Sequence, residues 1–431
     1  MVRPARMRTT RPPSAPTSAH RRGDGIVTPA GSVRPVSAPD SRPTLLATLT
    51  GKDRPGVTTA LLDAVALDGV DVLDVEQVLL RGRLVLGVLL TVPDEATEAS
   101  LRTAVSEVGS ARELEVELVA GRGDNSPRGQ GRTHVTVIGA PLTPGALAAV
   151  TGRITATGGN IDRVQRMARH PVTALELDVS GAAPDVLRRV LAAEAARQQV
   201  DVAVQPAGIS RHAQRLVVMD VDSTLVQGEV IEMVADRAGC RDQVAAVTEQ
   251  AMRGDIDFAE SLRQRVALLA GVRVSVLDEV YDSLSYAPGA RTVVRTLRRL
   301  GYRFGLVSGG FTYVIDQIAA ELDVDYSAAN VLELHDGVLT GRLVGDLVDR
   351  AGKADALRRF AADARVPMAD TVAVGDGAND LDMLAAAGLG VAFNAKPVVR
   401  DAADTAVSTP YLDSVLYLLG ISRDEVDSAQ A

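Results

Sequence analysis

Three apolar runs in the C-terminal half of the chain each stop abruptly in small, acidic or hydroxyl-bearing residues. Leu216-Val217-Val218-Met219 runs into Asp220-Val221-Asp222-Ser223-Thr224. Residues 302–307 run into Ser308-Gly309-Gly310, and residues 371–374 into Gly375-Asp376-Gly377-Ala378-Asn379-Asp380. Short apolar runs bounded in this way read as buried strands. Polar tips on all three predict a parallel sheet with a site at the carboxyl ends of its strands. Side chains two apart on a strand share a face. Asp220 and Asp222 therefore aim at one spot, and their repulsion calls for a cation beside them.

At 431 residues the chain is long enough for about two to four domains. An apolar content of 46% supports true cores, but with 3% aromatics and no Trp those cores must be built from Val, Leu and Ala. The net charge of −9 argues against nucleic acid as a partner. A lone cysteine, Cys240, rules out an internal disulfide and fits a reducing, cytoplasmic setting. No apolar run approaches the ~18 residues of a spanning helix, so no membrane partner is expected. Of the 46 basic residues only Lys52, Lys353 and Lys396 are lysines, which makes each worth a question.

Residues 1–43 are rich in Arg, Pro, Ser and Thr and cannot bury enough surface to offset ordering entropy, so a disordered tail is expected. They lack the apolar stretch of a secretory signal. Residues 44–120 read as strand, helix, strand, strand, helix, strand. After a linker at 121–132, residues 133–206 repeat that order, which suggests duplication. Residues 211–422 hold the three polar-tipped strands, and 423–431 are expected to be a tail.

The two repeats resemble ACT domains, ferredoxin-like (βαββαβ) modules that commonly bind amino acids. In the first, Thr50-Gly51-Lys52-Asp53-Arg54-Pro55-Gly56-Val57 carries the likeness. There, amides at a helix N-terminus can hold a carboxylate. The second keeps Pro144-Gly145 before its helix but lacks the Lys-Asp-Arg, and is degenerate. The resemblance leaves two roles open: effector binding, with L-serine or another amino acid, or packing and dimerisation. A homodimer is expected.

Residues 211–422 resemble the haloacid dehalogenase superfamily, specifically its phosphoserine phosphatase branch. All four motifs occur in order: Asp220-Val221-Asp222, Ser308-Gly309-Gly310, Lys353 and Gly375-Asp376-Gly377-Ala378-Asn379-Asp380. This implies an α/β fold, a Rossmann-like parallel sheet with a helical cap at about 225–287. It also implies roles. Asp220 is the nucleophile that forms an aspartyl-phosphate, and Asp222 the general acid and then base. Asp220, Asp376 and the backbone carbonyl of Asp222 hold Mg²⁺, with Asp380 orienting that shell. Ser308, Gly309 and Gly310 cradle phosphate oxygens, Lys353 adds a positive charge, and Asn379 contacts the phosphate side. Thr224 supports the site or is a turn residue, and Ser223 is a turn residue.

In the cap, Glu229 resembles the acid that holds a substrate ammonium, and Arg265 the base that grips its carboxylate. Met252 and Phe258 match apolar shields, while Glu232 and Arg263 are expected to be solvated helix positions. The implied activity is hydrolysis of O-phospho-L-serine to L-serine and phosphate, the last step of serine biosynthesis. Two alternatives stand beside it: the same chemistry on another small or protein phosphate, and a vestigial phosphatase acting as an amino-acid-binding regulator.

Overall fold

The computed structural model describes residues 42–123, 132–207, 216–253 and 255–430. All but the last two residues of the tail expected at 1–43 lie outside the described residues, as does most of the expected linker. The chain divides into two compact units, residues 1–126 and 127–431.

In the first unit, strands β1 (Pro43–Lys52), β2 (Val72–Leu80), β3 (Arg83–Thr91) and β4 (Glu115–Arg122) form an antiparallel sheet in the order β2-β3-β1-β4. Alternation along β1 buries Leu45, Ala47 and Leu49 against Leu61, Leu101 and Val105 of the helices Val57–Ala64 and Glu95–Arg112. Strand β4 runs to Arg122, so the sheet takes in the first residues of the segment expected to be linker. Gly56 precedes the first helix with φ 85°, a left-handed position where a Cβ would be strained.

The second unit opens with the same topology. Strands β5 (Thr133–Gly139), β6 (Asn160–Ala168), β7 (Thr173–Ser180) and β8 (Asp201–Pro206) pair in the order β6-β7-β5-β8. One face packs Val135, Val137, Leu177 and Val179 under the helices Pro144–Ala156 and Pro184–Gln198. The opposite face buries Ile138, Ala174 and Ala203 in the core of the larger sheet's body. Two hydrogen bonds fix that seam: the Ser408 amide donates to the Asp201 carboxylate (2.7 Å), and the Gln205 side-chain amide to the Leu418 carbonyl (2.8 Å).

The larger sheet has seven strands: β9 (Leu216–Asp220), β10 (Arg303–Phe311), β11 (Tyr326–His335), β12 (Val338–Val344), β13 (Thr371–Gly375), β14 (Leu389–Phe393) and β15 (Thr405–Val407). Their order is β12-β11-β10-β9-β13-β14-β15, and only β12 is antiparallel to its neighbour. Every residue of β9 and β13 is buried, as continuous Val-rich runs in a parallel sheet require. The three polar-tipped strands are adjacent at the centre of this sheet.

Between β9 and β10 the chain leaves the sheet to form the helices Val230–Arg237, Arg241–Arg253, Phe258–Ala267 and Ser275–Asp282. The two connecting segments pair with each other across the Val226–Tyr286 bridge. The Gln227 amide donates to the Ser285 carbonyl (2.8 Å) and the Ala287 amide to the Leu225 carbonyl (2.9 Å).

The expectation of a tail after 422 is corrected. Arg423–Gln430 is a helix whose Val426 is 1% exposed within the main core, and Arg423 reaches Asp413 at 3.0 Å. A single buried valine among polar neighbours leaves no periodicity for a sequence pattern to reveal. Val426→Asp would bury an unpaired charge. It is expected to lower the melting temperature by about 4 °C or more in thermal unfolding, where substitution in a free tail would change nothing.

Candidate active site

Strand β9 delivers Asp220 to the end of the sheet, and the chain then bends sharply. Ser223 takes a left-handed φ of 58° in this bend, which turns Asp222 back toward the strand tips. The Asp222 carboxylate accepts from the Val230 amide (2.7 Å) at the start of the first cap helix and from the Ser308 hydroxyl (2.7 Å) at the end of β10. Ser308 in turn accepts from the Gly310 amide (2.7 Å). Only glycine fits at 310, since a Cβ there would lie 2.9 Å from the Ser308 hydroxyl oxygen and 3.2 Å from Asp222.

Lys353 lies in the first turn of the helix Arg350–Ala364, which Asp349 caps by accepting from the Gly352 amide (2.9 Å). Its side chain is fully buried, and Nζ donates to Asp220 Oδ1 (2.6 Å) and Asp380 Oδ1 (2.7 Å). Burial opposes its charge, but the two carboxylates outweigh that and hold the ammonium above its usual range. Asp220 is pushed up by burial and by the Asp380 charge, with Lys353 offsetting part of the rise.

Asp376 follows β13 and is raised to about 6 by burial and by Asp380, an effect eased by the Thr224 hydroxyl donating to it at 3.0 Å. Thr224 is therefore tied to the site and is more than a turn residue. Asp380 also accepts from the Gly377 amide (2.9 Å). It sits so close to β13 that a Cβ on Gly375 would fall 2.5 Å from its carboxyl carbon. One oxygen each from Asp220, Asp376 and Asp380 lies within 4.8 Å of the others, a hard-oxygen cluster of the kind that holds a divalent metal ion.

These groups floor a cavity of about 660 Å³ whose other wall is the cap, with Glu229, Phe258, Ser261 and Arg265 among its residues. Glu229 immediately precedes the helix Val230–Arg237 and opens into the cavity. Loss of water around it, then the Asp222 and Asp376 charges, raise its carboxyl to about 7 against the pull of Arg265. Arg265 is lowered by burial, with Glu229, Glu232 and Asp222 opposing the change. Phe258 leans over the glycine loop, close enough for a Cβ on Gly309 to touch its ring at 3.3 Å. Gly309, Gly310 and Asn379 line the cavity as well. Met252 belongs to the helix Arg241–Arg253, but its side chain lies outside the described residues.

Not all of the cavity was legible in the sequence. Glu232, expected to be solvated, is half-buried and lines it, because the first cap helix turns that face inward. Arg263 is exposed beside Glu260, as expected. Lys396, marked earlier only by its rarity, stands on the rim. Asn330 on β11 carried no signal at all. It is 1% exposed, and its amide joins two parts of the site by donating to the Gly309 carbonyl (2.9 Å) and accepting from the Val348 amide (2.9 Å).

Residues 217–385 match the family described as haloacid dehalogenase-like hydrolase, and residues 43–119 and 132–205 match two ACT domain families. Fold and site thus define a haloacid dehalogenase-like hydrolase with two ACT domains before it. The chain is 59% identical to the phosphoserine phosphatase of Streptomyces coelicolor over 387 residues, covering 90% of this chain and 94% of the relative. It is 54% identical to phosphoserine phosphatase SerB2 of Mycobacterium tuberculosis, covering 90% and 95%. Among solved structures, it resembles a probable phosphoserine phosphatase from Vibrio cholerae at 34% identity and a TM-score of 0.54, covering 69% of this chain and 88% of that one. The chain belongs to the phosphoserine phosphatase family.

Asn330→Ala would leave the Gly309 carbonyl and the Val348 amide without partners. An expected cost of about 2 kcal/mol or more, read as a lower midpoint in urea unfolding, checks that this asparagine braces the glycine loop.

Proposed function

We infer that the chain hydrolyses O-phospho-L-serine to L-serine and phosphate through an aspartyl-phosphate on Asp220. One observation carries this reading: a single cavity pairs the Asp220–Asp222–Lys353 floor with a cap wall bearing both Glu229 and Arg265. A phosphate monoester needs the floor, and a zwitterionic amino acid needs an acid and a base opposite it. The likeness to named phosphoserine phosphatases supports the same substrate.

Asp220 and Asp376, with the Asp222 backbone carbonyl, would hold Mg²⁺, which suits an all-oxygen donor set. When bound, the ion offsets repulsion between the attacking carboxylate and the phosphate dianion. Asp220 attacks phosphorus while Lys353, fixed by Asp380, neutralises the transferring group. Asp222 gives its proton to the departing serine oxygen and later takes one from the water that cleaves the aspartyl-phosphate. The Gly309 amide, and the Ser308 hydroxyl and Gly310 amide once they leave Asp222 and Ser308, receive phosphate oxygens, with Asn379 beside them. Thr224 steadies Asp376. Glu229 takes the substrate ammonium and Arg265 its carboxylate, while Phe258 excludes water.

The amino-terminal ACT domains would sense L-serine or another amino acid, and the protein would work as a cytoplasmic homodimer in serine biosynthesis. The first ACT domain is the better candidate for the effector, because its glycine-led helix start keeps the Lys52-Asp53-Arg54 loop. No helix among the described residues is long and apolar enough to cross a membrane.

Steady-state phosphate release should give kcat/KM for phosphoserine at least about tenfold above generic phosphomonoesters, and should vanish without Mg²⁺. Arg265→Ala should harm phosphoserine turnover while sparing p-nitrophenyl phosphate. A flat substrate profile favours the alternative of another small or protein phosphate, and no release under any condition favours the vestigial regulator.

Glu229 binds an ammonium only when ionised. With its carboxyl raised from 4.5 to about 7 in the metal-free protein, phosphoserine binding to the metal-free protein should tighten as pH rises through that region. Mg²⁺ would cancel part of the Asp222 and Asp376 repulsion and move the midpoint down. Carbon-13 NMR of the Glu229 carboxyl, compared with and without Mg²⁺ and against Glu229→Gln, checks both the position and the direction.

A further inference from the structure

Ser261 has the one cavity-wall side chain that is sealed from solvent and left without a partner among the described residues. It is 1% exposed, and its hydroxyl finds no hydrogen bond. Its backbone is fully used: the amide donates to the Asp257 carbonyl (2.9 Å), and the carbonyl accepts from Arg265 Nε (3.4 Å). Buried hydroxyls in folded proteins are almost always paired, and an orphan costs free energy comparable to a lost hydrogen bond. An orphan on a ligand cavity is best explained by a partner that arrives with the ligand.

Its place on the helix says which part of the ligand. Ser261 is one turn before Arg265 and three residues after Phe258 on the helix Phe258–Ala267, so all three share one face. The charge nearest along that face is the Arg265 guanidinium, which draws an anion. The acids Glu229 and Glu232 reach the cavity from a different helix. We propose that Ser261 is a specificity-determining residue whose hydroxyl donates to the substrate carboxylate beside Arg265. The inference rests on the amino acid phosphate reading above and adds to it a second, neutral contact to the carboxylate. A neutral donor suits this position, because a hydroxyl left unpaired in the free protein gains its hydrogen bond only from a substrate that carries the carboxylate.

The test compares Ser261→Ala and Ser261→Thr on O-phosphoserine and on O-phosphoethanolamine, which keeps the phosphate and ammonium but has no carboxylate. Ser261→Ala is expected to raise KM for phosphoserine about tenfold or more, the scale of one hydrogen bond to a charged group, with kcat within about twofold. Phosphoethanolamine kinetics should not change, and Ser261→Thr should restore most of the phosphoserine KM. The unliganded Ser261→Ala protein should melt no lower than the parent, since the substitution removes an unpaired polar group. An unchanged phosphoserine KM, an equal rise for both substrates, or a lower melting temperature with both impaired would overturn the proposal. Calorimetric binding of phosphoserine to the parent and to Ser261→Ala separates this from the functional reading. If the parent binds but turns over neither compound, the reading of the reaction fails while the Ser261 contact is still measured.

Discussion

A buried lysine held between two carboxylates is the constraint on which the rest of the site depends. Lys353 is cut off from water and spans Asp220 and Asp380 at 2.6 and 2.7 Å. Removing such an ammonium from water is costly, and only close, multiple contacts with opposite charge compensate. The compensation is unequal, however. Asp220, Asp222, Asp376 and Asp380 face one lysine, so the pocket floor carries more negative charge than its own cation neutralises. Burial first, and then that excess of charge, raises the carboxyls of Asp220 and Asp376. A divalent cation answers the same excess. The lysine therefore sets where the Asp220 carboxylate lies, and the excess of acids marks where a divalent cation would fit.

That geometry is possible only because backbone comes unusually near to side chains at two points. Gly375 lets Asp380 sit against the end of β13, and Gly310 lets the chain pass the Ser308 hydroxyl and Asp222. The cap is also tied to the body unevenly. The segment after the helix Phe258–Ala267 bonds to the β11–β12 hairpin through Gly271, Val274 and the Arg273–Val338 bridge, and Gly341 packs on Ala267 and Ala270. Tyr281 and Tyr286 both donate to Glu321 on the body. The helix that carries Phe258, Ser261 and Arg265 is thus held by its far end, which keeps the cap wall of the cavity in register with the floor.

How much of this the sequence disclosed follows from where each residue gets its partners. Asp220, Ser308 and Asp376 stand at the ends of apolar runs, so the pattern that predicts the strand also marks the site. Lys353 was legible because lysines are rare in this chain and because it falls between two motifs. Asn330 was not: its partners, the Gly309 carbonyl and the Val348 amide, are both backbone, and no residue type announces them. Glu232 and Ser261 were missed for a related reason. Helical spacing says which residues share a face, but not whether that face meets solvent or a cavity.

The two ACT domains show how one topology can end in different surroundings. In each, one sheet face lies under the two helices and is fully committed. On the other face of the second domain, Ile138, Ala174 and Ala203 are buried in the catalytic body, and Asp201 and Gln205 bond across the seam. On the first domain the equivalent face leaves Leu46, Val78, Val85 and Val119 between 39% and 50% exposed. A face already used to brace an enzyme cannot also be a free surface. It goes with the absence of a Lys-Asp-Arg sequence before the second domain's first helix, where Gly139-Ala140-Pro141 stands instead. The second copy is instead packed against the body of the larger sheet, beside β15 and the C-terminal helix.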